Sequence, residues 1–288
     1  MICVIISFDI RNDQRIGMAR GLSDAHRFWR DPALSFLEAR AVEDGREVCY
    51  GMHSHQTFSI GLVTGGRSEY RIGRVRHEVT AGAVVLMNPE ETHACNPLED
   101  LPWSYRMLYV DVPWLTGVQQ GNGFTPYATV LSTDPALYRQ LKGLFDVLFD
   151  TESDVMSKEY AATAFFADLH HRLGQTCDPV GDTHSGLKRA AEFITSHCTR
   201  PLRLADICAA SGLSPSYLVR AFKARYGLTP HAYQINRRIQ YGQKELRRGR
   251  PIVDVALEAG FADQAHFQRA FKRHVAATPR QYAVAQPA

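Results

Sequence analysis

Two pairs of cationic residues recur at matching positions near the carboxyl end of the chain. Arg220 and Lys223 form one pair, and Arg269 and Lys272 form the other. Residues three positions apart share one face of a helix, so each pair would project from a single side. Guanidinium and ammonium groups displayed in this way are suited to phosphates and to the edges of bases. The chemistry indicated is the binding of an anionic polymer, provided that two helices hold the pairs outward.

The charge of the chain is unevenly distributed. All 288 residues together carry 33 Lys and Arg and 30 Asp and Glu, a net charge of +3. Residues 185–288 hold 17 of the cationic and 6 of the acidic side chains, so this segment carries +11 and residues 1–184 carry −8. A basic segment of this size concentrates positive potential, and nucleic-acid phosphates are the commonest partner for it.

The basic segment contains an internal repeat. The sequence LADICAASGL at 204–213 corresponds to IVDVALEAGF at 252–261. In each copy a short helix is predicted to end at a glycine, Gly212 or Gly260, because glycine takes a left-handed turn at little cost. A second helix follows, which carries the cationic pair outward. This pattern is a helix-turn-helix, whose second helix enters the major groove of DNA.

Residue types also predict where the second helices begin and what lies between the two copies. Ser214-Pro215 opens the second helix of the first copy, and Asp263 caps that of the second. One long helix is predicted for residues 231–248, and about 18 residues span about 27 Å, which suits two second helices in successive major grooves. Its predicted inward residues are Ile235, Ile239 and Leu246, and its predicted outward residues are Arg237, Arg238, Lys244, Arg247 and Arg248.

The second copy resembles the AraC/XylS family of bacterial regulators. Its pattern is Asp254-x-Ala256-x-x-x-Gly260-Phe261-x-Asp263-x-x-x-Phe267-x-Arg269-x-Phe271-Lys272-Arg273, followed by Thr278-Pro279-x-x-Tyr282. The resemblance implies that residues early in each second helix read bases, with Arg220 and Arg269 suited to guanine. It implies phosphate contacts for Lys223, Lys272 and Arg273. The full implied DNA-binding set is Ser216, Tyr217, Val219, Arg220, Lys223, Gln264, Ala265, His266, Gln268, Arg269, Lys272 and Arg273.

The amino-terminal part is predicted to be rich in β-strands. Short runs of β-type residues separated by Gly, Pro and Asn favour a β-sandwich or a small barrel. The predicted strands are Phe58–Val63, Ser68–Ile72, Arg76–Val79, Ala83–Met87 and Tyr105–Val110. Residues 1–45 have two interpretations, either a lid that precedes the barrel or a first strand of it.

Two stretches of this part resemble the half-motifs of a cupin barrel. They are Gly51-Met52-His53-Ser54-His55 and Gly82-x-x-x-x-x-x-Pro89-x-x-x-His93. The resemblance implies a divalent metal held by His53, His55 and His93. The sequence departs from the cupin pattern in two ways. Gln56, Thr57, Phe58 and Ser59 stand where an acidic ligand is expected, and the stretch from Pro89 to His93 is one residue shorter than the usual cupin spacing. Both departures favour histidines that line an effector pocket over histidines that bind a metal. Cys95 is a fourth ligand, a thiol sensor or, as favoured here, a buried structural cysteine.

Arg106 completes the expected effector-binding set, which is His53, His55, His93 and Arg106. It lies on a predicted strand among Trp103, Tyr105, Met107 and Tyr109. If its side chain points inward, it suits an effector that carries a carboxylate. If the side chain points outward, it is a surface charge, and strand alternation alone does not decide between the two.

From Asp134 the apolar residues follow a helical period. The apolar faces of two predicted helices are Leu141, Leu144, Phe145 and Leu148, then Tyr160, Ala161, Ala164, Phe165 and Leu169. Either the barrel or the same helices of a second copy covers them, and a homodimer is expected. The fold class is therefore α+β, with a cupin-like β-barrel and helical dimerisation segment in residues 1–177, a linker in 178–185, and an all-α double helix-turn-helix domain in 186–288.

The leading hypothesis is a sequence-specific transcriptional regulator without enzymatic activity, controlled by a small-molecule effector in the barrel. Its expected partners are double-stranded promoter DNA, the effector, a second copy of the chain and, if it is an activator as is usual in the family, RNA polymerase. The alternatives are a metal-dependent cupin enzyme fused to a DNA-binding module and a constitutive DNA-binding protein with a vestigial barrel.

The cysteines and the amino terminus bear on location. The six scattered cysteines form no C-x-x-C pair, and Met1–Phe8 is too short for a signal peptide or a membrane span. A cytoplasmic protein without membrane contacts is therefore expected.

Overall fold

The computed structural model describes residues 26–46, 48–73, 75–98, 102–174 and 185–284. Two antiparallel sheets form the amino-terminal part. Their strands are β1 (His26–Arg30), β2 (Leu37–Val42), β3 (Phe58–Gly65), β4 (Arg67–Ile72), β5 (Val75–Thr80), β6 (Val84–Met87), β7 (His93–Pro97), β8 (Ser104–Val110) and β9 (Leu131–Ser132). The larger sheet has the order β1-β2-β8-β3-β6-β9 and the smaller has the order β5-β4-β7.

The five predicted strands correspond to β3, β4, β5, β6 and β8, with ends shifted by at most two residues. The described part of the first 45 residues supplies strands rather than a lid, because β1 and β2 form one edge of the larger sheet. Residues 1–25 lie outside the described part of the chain. Strand β7 begins at His93, which the sequence analysis named as a candidate ligand without predicting a strand there.

Three helices cover the outer face of the larger sheet: α1 (Val112–Val118), α2 (Pro135–Phe149) and α3 (Val155–Leu173). The predicted face of α2 is buried, but that of α3 is shifted. The predicted Phe165 and Leu169 are buried, but Tyr160 is 76% exposed and Phe166, which was not predicted, packs in the core. The two adjacent phenylalanines bury more apolar area than Tyr160 and Ala164 would, so the helix turns that side to the core.

Seven helices follow within residues 185–284. They are α4 (Ser185–Ser196), α5 (Leu204–Ser211), α6 (Pro215–Tyr226), α7 (Pro230–Arg247), α8 (Ile252–Glu258), α9 (Gln264–Val275) and α10 (Pro279–Ala283). The repeat therefore folds as predicted into two helix-turn-helix units, α5–α6 and α8–α9, joined by α7. Gly212 and Gly260 have φ angles of 73° and 82° in the turns. The Asp263 carboxylate accepts a hydrogen bond from the His266 amide at 2.7 Å, whereas the Ser214 side chain forms no capping bond.

The predicted outward orientation of two α7 arginines is wrong. Arg237 and Arg238 are only 6% and 9% exposed. The Arg238 guanidinium donates to the carbonyl oxygens of Cys198, Arg200 and Gly260 at 2.6–2.9 Å, so it joins α7 to the connection after α4 and to the turn after α8. The periodicity of α7 could not reveal this, because the helix is surrounded on several sides and long side chains reach polar groups across the core.

The two parts of the molecule share an extensive interface. Phe28 of β1 belongs to the core of the second helix-turn-helix unit, and Ala276, which follows α9, belongs to the core between the two sheets. The predicted linker lies outside the described residues except for Ser185, which begins α4. Within the described ranges, every helix is too short or too polar to cross a bilayer.

Candidate DNA-binding surface and effector pocket

The second helix of each unit presents the predicted DNA-binding residues to solvent. Leu218 and Phe222 of α6, and Phe267 and Phe271 of α9, are fully buried and hold the helices in place. Ser216, Tyr217, Arg220 and Lys223 of α6 are exposed, and so are Gln264, Ala265, His266, Gln268, Arg269, Lys272 and Arg273 of α9. Val219 is half-buried. The structure thus brings the cationic pairs onto open helix faces, as an approach to DNA requires.

The three histidines of the cupin-like motifs converge between the two sheets. The backbones of His53 and His93 pair in an isolated antiparallel bridge, with N–H to carbonyl distances of 3.0 and 2.8 Å. Cross-bridge partners project to the same side, so their rings meet with centroids 4.6 Å apart. The ring of His55 lies 4.8 Å from that of His53 and 4.9 Å from that of His93. One ligand atom from each ring lies within 4.8 Å of the other two.

Hydrogen bonds define how two of these imidazoles carry their proton. The Nδ1 atom of His53 lies 2.8 Å from the Gly51 carbonyl, and that of His93 lies 2.8 Å from the Glu91 carbonyl. A carbonyl only accepts, so each Nδ1 donates and each Nε2 keeps its lone pair. Burial lowers the pKa of His93 to about 4, and burial with the neighbouring histidines holds the pKa of His53 well below its ordinary value. The hydrogen bonds and the lowered pKa values both favour neutral imidazoles whose Nε2 lone pairs are free to bind a metal ion.

The cavity around the histidines is small, and none of the described residues in its wall is acidic. Its volume is about 30 Å³, and tyrosine, tryptophan, methionine and aliphatic side chains form most of the wall. The Cys95 thiol lies in the wall but is not within the cluster of three ligand atoms, and its Sγ lies 3.4 Å from the Ser68 hydroxyl. Burial raises the pKa of that thiol to about 12, which fits a protonated, unreactive cysteine.

Arg106 contributes to the wall of the histidine cavity, but its guanidinium is directed away from the three rings. Its guanidinium donates to the Asp146 carboxylate of α2 at 2.8 Å, on the helix-covered side of the larger sheet. Arg40 of β2 lies on the histidine side instead, because it pairs with Met107 across β2 and β8, while Arg106 pairs with Ala41. The effector contact expected from Arg106 stays a prediction, and Arg40, which is 1% exposed, is a second candidate on the histidine side. The sequence held a signal for it, since Glu38 and Arg40 alternate with apolar residues in an otherwise buried strand.

A second cavity lies where the barrel meets the helical part. It has a volume of about 160 Å³, and its wall contains Arg40, Tyr50, His55 and Tyr109 from the barrel and Arg247 from α7. Its wall contains two acidic residues, Glu38 and Asp111. Glu38 is neutralised by Arg30 at 2.7 Å and Arg247 at 3.4 Å. Burial alone would raise the pKa of Glu38, but the two arginines outweigh it and lower that pKa. We call this space the interdomain cleft.

The segment between Gly51 and His55 touches the helical part directly, a set of contacts that the sequence did not reveal. The Gly51 amide donates to the Arg273 carbonyl of α9 at 2.8 Å. The Ser54 carbonyl accepts from Gln240 at 2.8 Å, and the Ser54 hydroxyl accepts from Asn236 at 3.0 Å. Further along the interface, Arg237 forms an ion pair with Glu90 at 2.6 Å. His53 and His55 therefore flank a residue that is bonded to α7.

The geometry defines a class of protein: a β-rich ligand-binding part joined to two helix-turn-helix units. Comparison with known families agrees, since residues 38–170 match the AraC-like ligand binding domain and residues 207–284 match a helix-turn-helix domain. The chain belongs to the AraC family of transcriptional regulators, which are not enzymes. The alternative of a metal-dependent cupin enzyme is thus not supported.

Individual relatives extend over most of the chain. The uncharacterized HTH-type transcriptional regulator YbfI of Bacillus subtilis is 27% identical over 74% of this chain and 80% of its own length. The HTH-type transcriptional activator RhaR of Klebsiella pneumoniae is 23% identical over 86% of this chain and 92% of its own. Unsaturated fatty acid bound ToxT from Vibrio cholerae has the same fold, with a TM-score of 0.56 at 16% identity over 87% of this chain and 96% of its own.

Proposed function

We propose that this chain is an effector-controlled transcriptional activator that binds promoter DNA as a homodimer. The observation that carries the proposal is the interface itself: the wall of the interdomain cleft is shared between the barrel and the helix α7 that joins the two DNA-binding units. A molecule in the cleft would contact both the barrel and the helical part. Its free energy of binding would therefore differ between a state in which the two parts are packed together and a state in which they are separated. Such a difference is what shifts a population between states.

The size and chemistry of the cleft limit the effector. A cavity of about 150 Å³ holds a molecule the size of benzene, and the cleft measures about 160 Å³. Among the described residues, the partners of the Arg40 guanidinium are neutral: the Tyr50 and Tyr109 hydroxyls, His26 and the carbonyl oxygens of Val275 and Ala276. A buried charge without an anionic partner is costly, so a small molecule with an acidic group fits best. The fatty acid bound by ToxT supports an organic acid in this fold.

The exposed side of α3 supports a homodimer. Met156 and Tyr160 lie one helical turn apart and are 75% and 76% exposed. Thr163, Ala164 and Ala167 continue the same side with small, exposed residues. Apolar side chains beside small ones permit close packing of two helices, and a second copy supplies the same surface. The relation to the activator RhaR supports activation, and hence contact with RNA polymerase, as the output.

Binding to promoter DNA is the first test. The wild type, Arg269→Ala and Lys244→Ala are titrated against the DNA upstream of the protein's own gene and against an unrelated duplex at several salt concentrations. Lys244 is an exposed lysine of α7 and serves as the matched control for loss of charge. We expect the wild type and Lys244→Ala to prefer the promoter by about a thousandfold, and Arg269→Ala to lose that preference while it keeps non-specific affinity. Absence of any DNA binding, with or without cell extract as a source of effector, contradicts the proposal.

Effector control is tested separately. A library of small organic acids and matched neutral amides is screened for a rise in melting temperature with the wild type and with Arg40→Met. We expect acids to stabilise the wild type, amides to have little effect, and Arg40→Met to lose the discrimination. Equal stabilisation of the wild type by acids and amides would show that Arg40 does not recognise the acidic group of the effector.

A further inference from the structure

The cupin resemblance implies a divalent ion at His53, His55 and His93, and the convergence of the three rings fits such an ion. We propose that segment Gly51–His55 couples the occupancy of this three-histidine cluster by a transition-metal ion to the DNA-binding helices. This inference rests on the proposed function, since it assigns a ligand class and a form of regulation to the same barrel. It differs from the effector cleft in place and in chemistry: the metal lies between the sheets, and the organic effector lies between the two parts of the molecule.

The donor set fits an ion of this kind. Imidazole nitrogens suit zinc, nickel, copper and iron, whereas calcium and magnesium take oxygen ligands. Two of the three rings already donate their Nδ1 protons to carbonyl oxygens of Gly51 and Glu91, which directs the Nε2 lone pairs into the cavity. Such outer hydrogen bonds are the usual means of orienting metal-binding histidines. The three ligand atoms need to approach by roughly 1 Å to reach metal–nitrogen distances of about 2.0–2.1 Å.

The size of the inner cavity also favours an ion. Its volume of about 30 Å³ holds about two water molecules and no ring-sized molecule. An ion with three protein nitrogens keeps a coordination position for water, as open metal sites do. The nearby cation Arg40 is directed at the carbonyl oxygens of Val275 and Ala276, which have the negative end of the α9 dipole behind them. The positive charge of Arg40 is therefore partly offset, although the histidines themselves have no carboxylate in the cavity wall.

The coupling follows from the alternation of residues along the segment. His53 and His55 face the metal site, and Ser54 between them is bonded to Asn236 and Gln240 of α7. Gly51, whose carbonyl orients His53, donates its amide to the end of α9. An ion that fixes the two imidazoles therefore also fixes these contacts. Since α7 joins the two helix-turn-helix units, fixing α7 and α9 pre-organises both recognition helices and should raise DNA affinity.

Metal binding is measured on the full chain purified without a polyhistidine tag. Metal-free protein is titrated with Co²⁺, followed by its visible absorption, and then with Zn²⁺ in competition. We expect one ion per chain, and a loss of affinity of about a hundredfold or more in His93→Asn, since even outer partners contribute 10–100-fold. His77→Asn, which changes a histidine of β5 outside the cluster, serves as the control and should bind like the wild type. Less than one ion per chain, or equal affinity in His93→Asn, overturns the metal site.

The coupling is measured as the effect of Zn²⁺ on DNA affinity. Coupling between sites is typically 5–150-fold, and we expect Zn²⁺ to tighten promoter binding by about tenfold in the wild type and in Lys244→Ala. Asn236→Ala and Gln240→Ala should bind Co²⁺ normally and lose most of the tightening. Two variants are used because either could fold poorly, which the Co²⁺ spectrum would reveal. Unchanged tightening in well-folded variants overturns the coupling through Ser54.

The outcomes separate this inference from the proposed function. If no metal binds but the wild type still prefers its promoter and responds to organic acids, the three-histidine site fails and the proposed function stands. If metal binds but no DNA is recognised under any condition, the proposed function fails and only the metal site remains.

Discussion

The Arg40 guanidinium of strand β2 donates to the main-chain carbonyl of Val275 at 2.6 Å, so a barrel residue caps the last turn of a recognition helix 235 positions away in the sequence. A second hydrogen bond reaches the Ala276 carbonyl at 3.1 Å. Both acceptors are orphan carbonyls at the end of α9, which a helix leaves unpaired unless another group reaches them. A cation at that end also interacts favourably with the helix dipole. The ligand-binding part thus completes the second helix-turn-helix unit.

Replacing Arg40 with lysine is predicted to weaken this link while it keeps the charge. A lysine ammonium cannot reproduce the forked geometry that serves two carbonyls and the Tyr50 hydroxyl. We expect the free energy of unfolding to fall by about 1–3 kcal/mol, the cost of leaving buried partners unsatisfied. Urea denaturation measures it, and Arg67→Lys on the exposed side of β4 is the control. Equal stability of Arg40→Lys and the control would show that the capping bonds contribute nothing.

The repeat offers a matched pair of glycines whose replacement should have unequal costs. Gly212 and Gly260 occupy equivalent turns with φ angles of 73° and 82°. An alanine at either position costs about 1–2 kcal/mol from the left-handed backbone alone. At Gly260 the added Cβ would also lie 2.3 Å from the Thr199 carbonyl, whereas at Gly212 its closest neighbour is Arg189 at 3.7 Å. Thermal unfolding should therefore show a larger destabilisation for Gly260→Ala, and the reverse order would contradict this explanation.

A charge on the exposed side of α3 should disrupt the proposed homodimer. In Tyr160→Glu an aromatic surface residue becomes a carboxylate that two copies would bring together. We expect the dimer dissociation constant to rise by at least about tenfold, which corresponds to 1.4 kcal/mol. Analytical ultracentrifugation provides the measurement. Arg139→Glu on the exposed side of α2 is the control, and a similar loss of association in both variants would point to net charge instead of the α3 surface.

The stability of the protein should decrease as the pH falls below about 6.5, in part because of His26. Burial, together with Arg40 and Lys272, lowers the pKa of His26 to about 4 from an ordinary value of 6.5. A group with a depressed pKa stabilises the fold fully above its unfolded pKa and loses that contribution between 6.5 and 4. One such proton contributes at most about 1.4 kcal/mol per pH unit. His26→Gln should show a smaller slope of unfolding free energy over this range, and an unchanged slope would exclude His26 as a contributor.

The helix-turn-helix units could be predicted from the sequence because the information that specifies them is local. Helical periodicity, a glycine after each first helix and a cap before each second helix lie within about ten residues of one another. The exposure of Arg220 and Arg269 follows from the buried positions of Leu218 and Phe267 beside them. The five predicted strands rest on equally local signals, namely β-type runs bounded by turn residues.

The candidate ligand sites were predicted only in part. The resemblance to cupins identified His53, His55 and His93, and the structure brings their rings together through the bridge between His53 and His93. The alternation of Glu38 and Arg40 with apolar residues was a signal for Arg40, but it did not show that this side chain lies on the side of the histidines. Alternation along β8 shows that Arg106 and Met107 face opposite ways, but only the ring contact between His55 and Tyr109 shows which side holds the histidines. The register of β2 against β8 then places Arg40 on that side.

The sequence by itself therefore determined five of the nine described strands, the repeat, the basic recognition helices and the residue types available for ligands. The tertiary structure alone decided that Arg237 and Arg238 are buried and that Tyr160 is exposed. It also decided that Ser54 bonds to α7 and that Arg40 caps α9. The physical reason is that periodicity specifies which residues share a face of a helix or strand. The partner that each face meets depends on contacts between residues far apart in the chain, which no local pattern encodes.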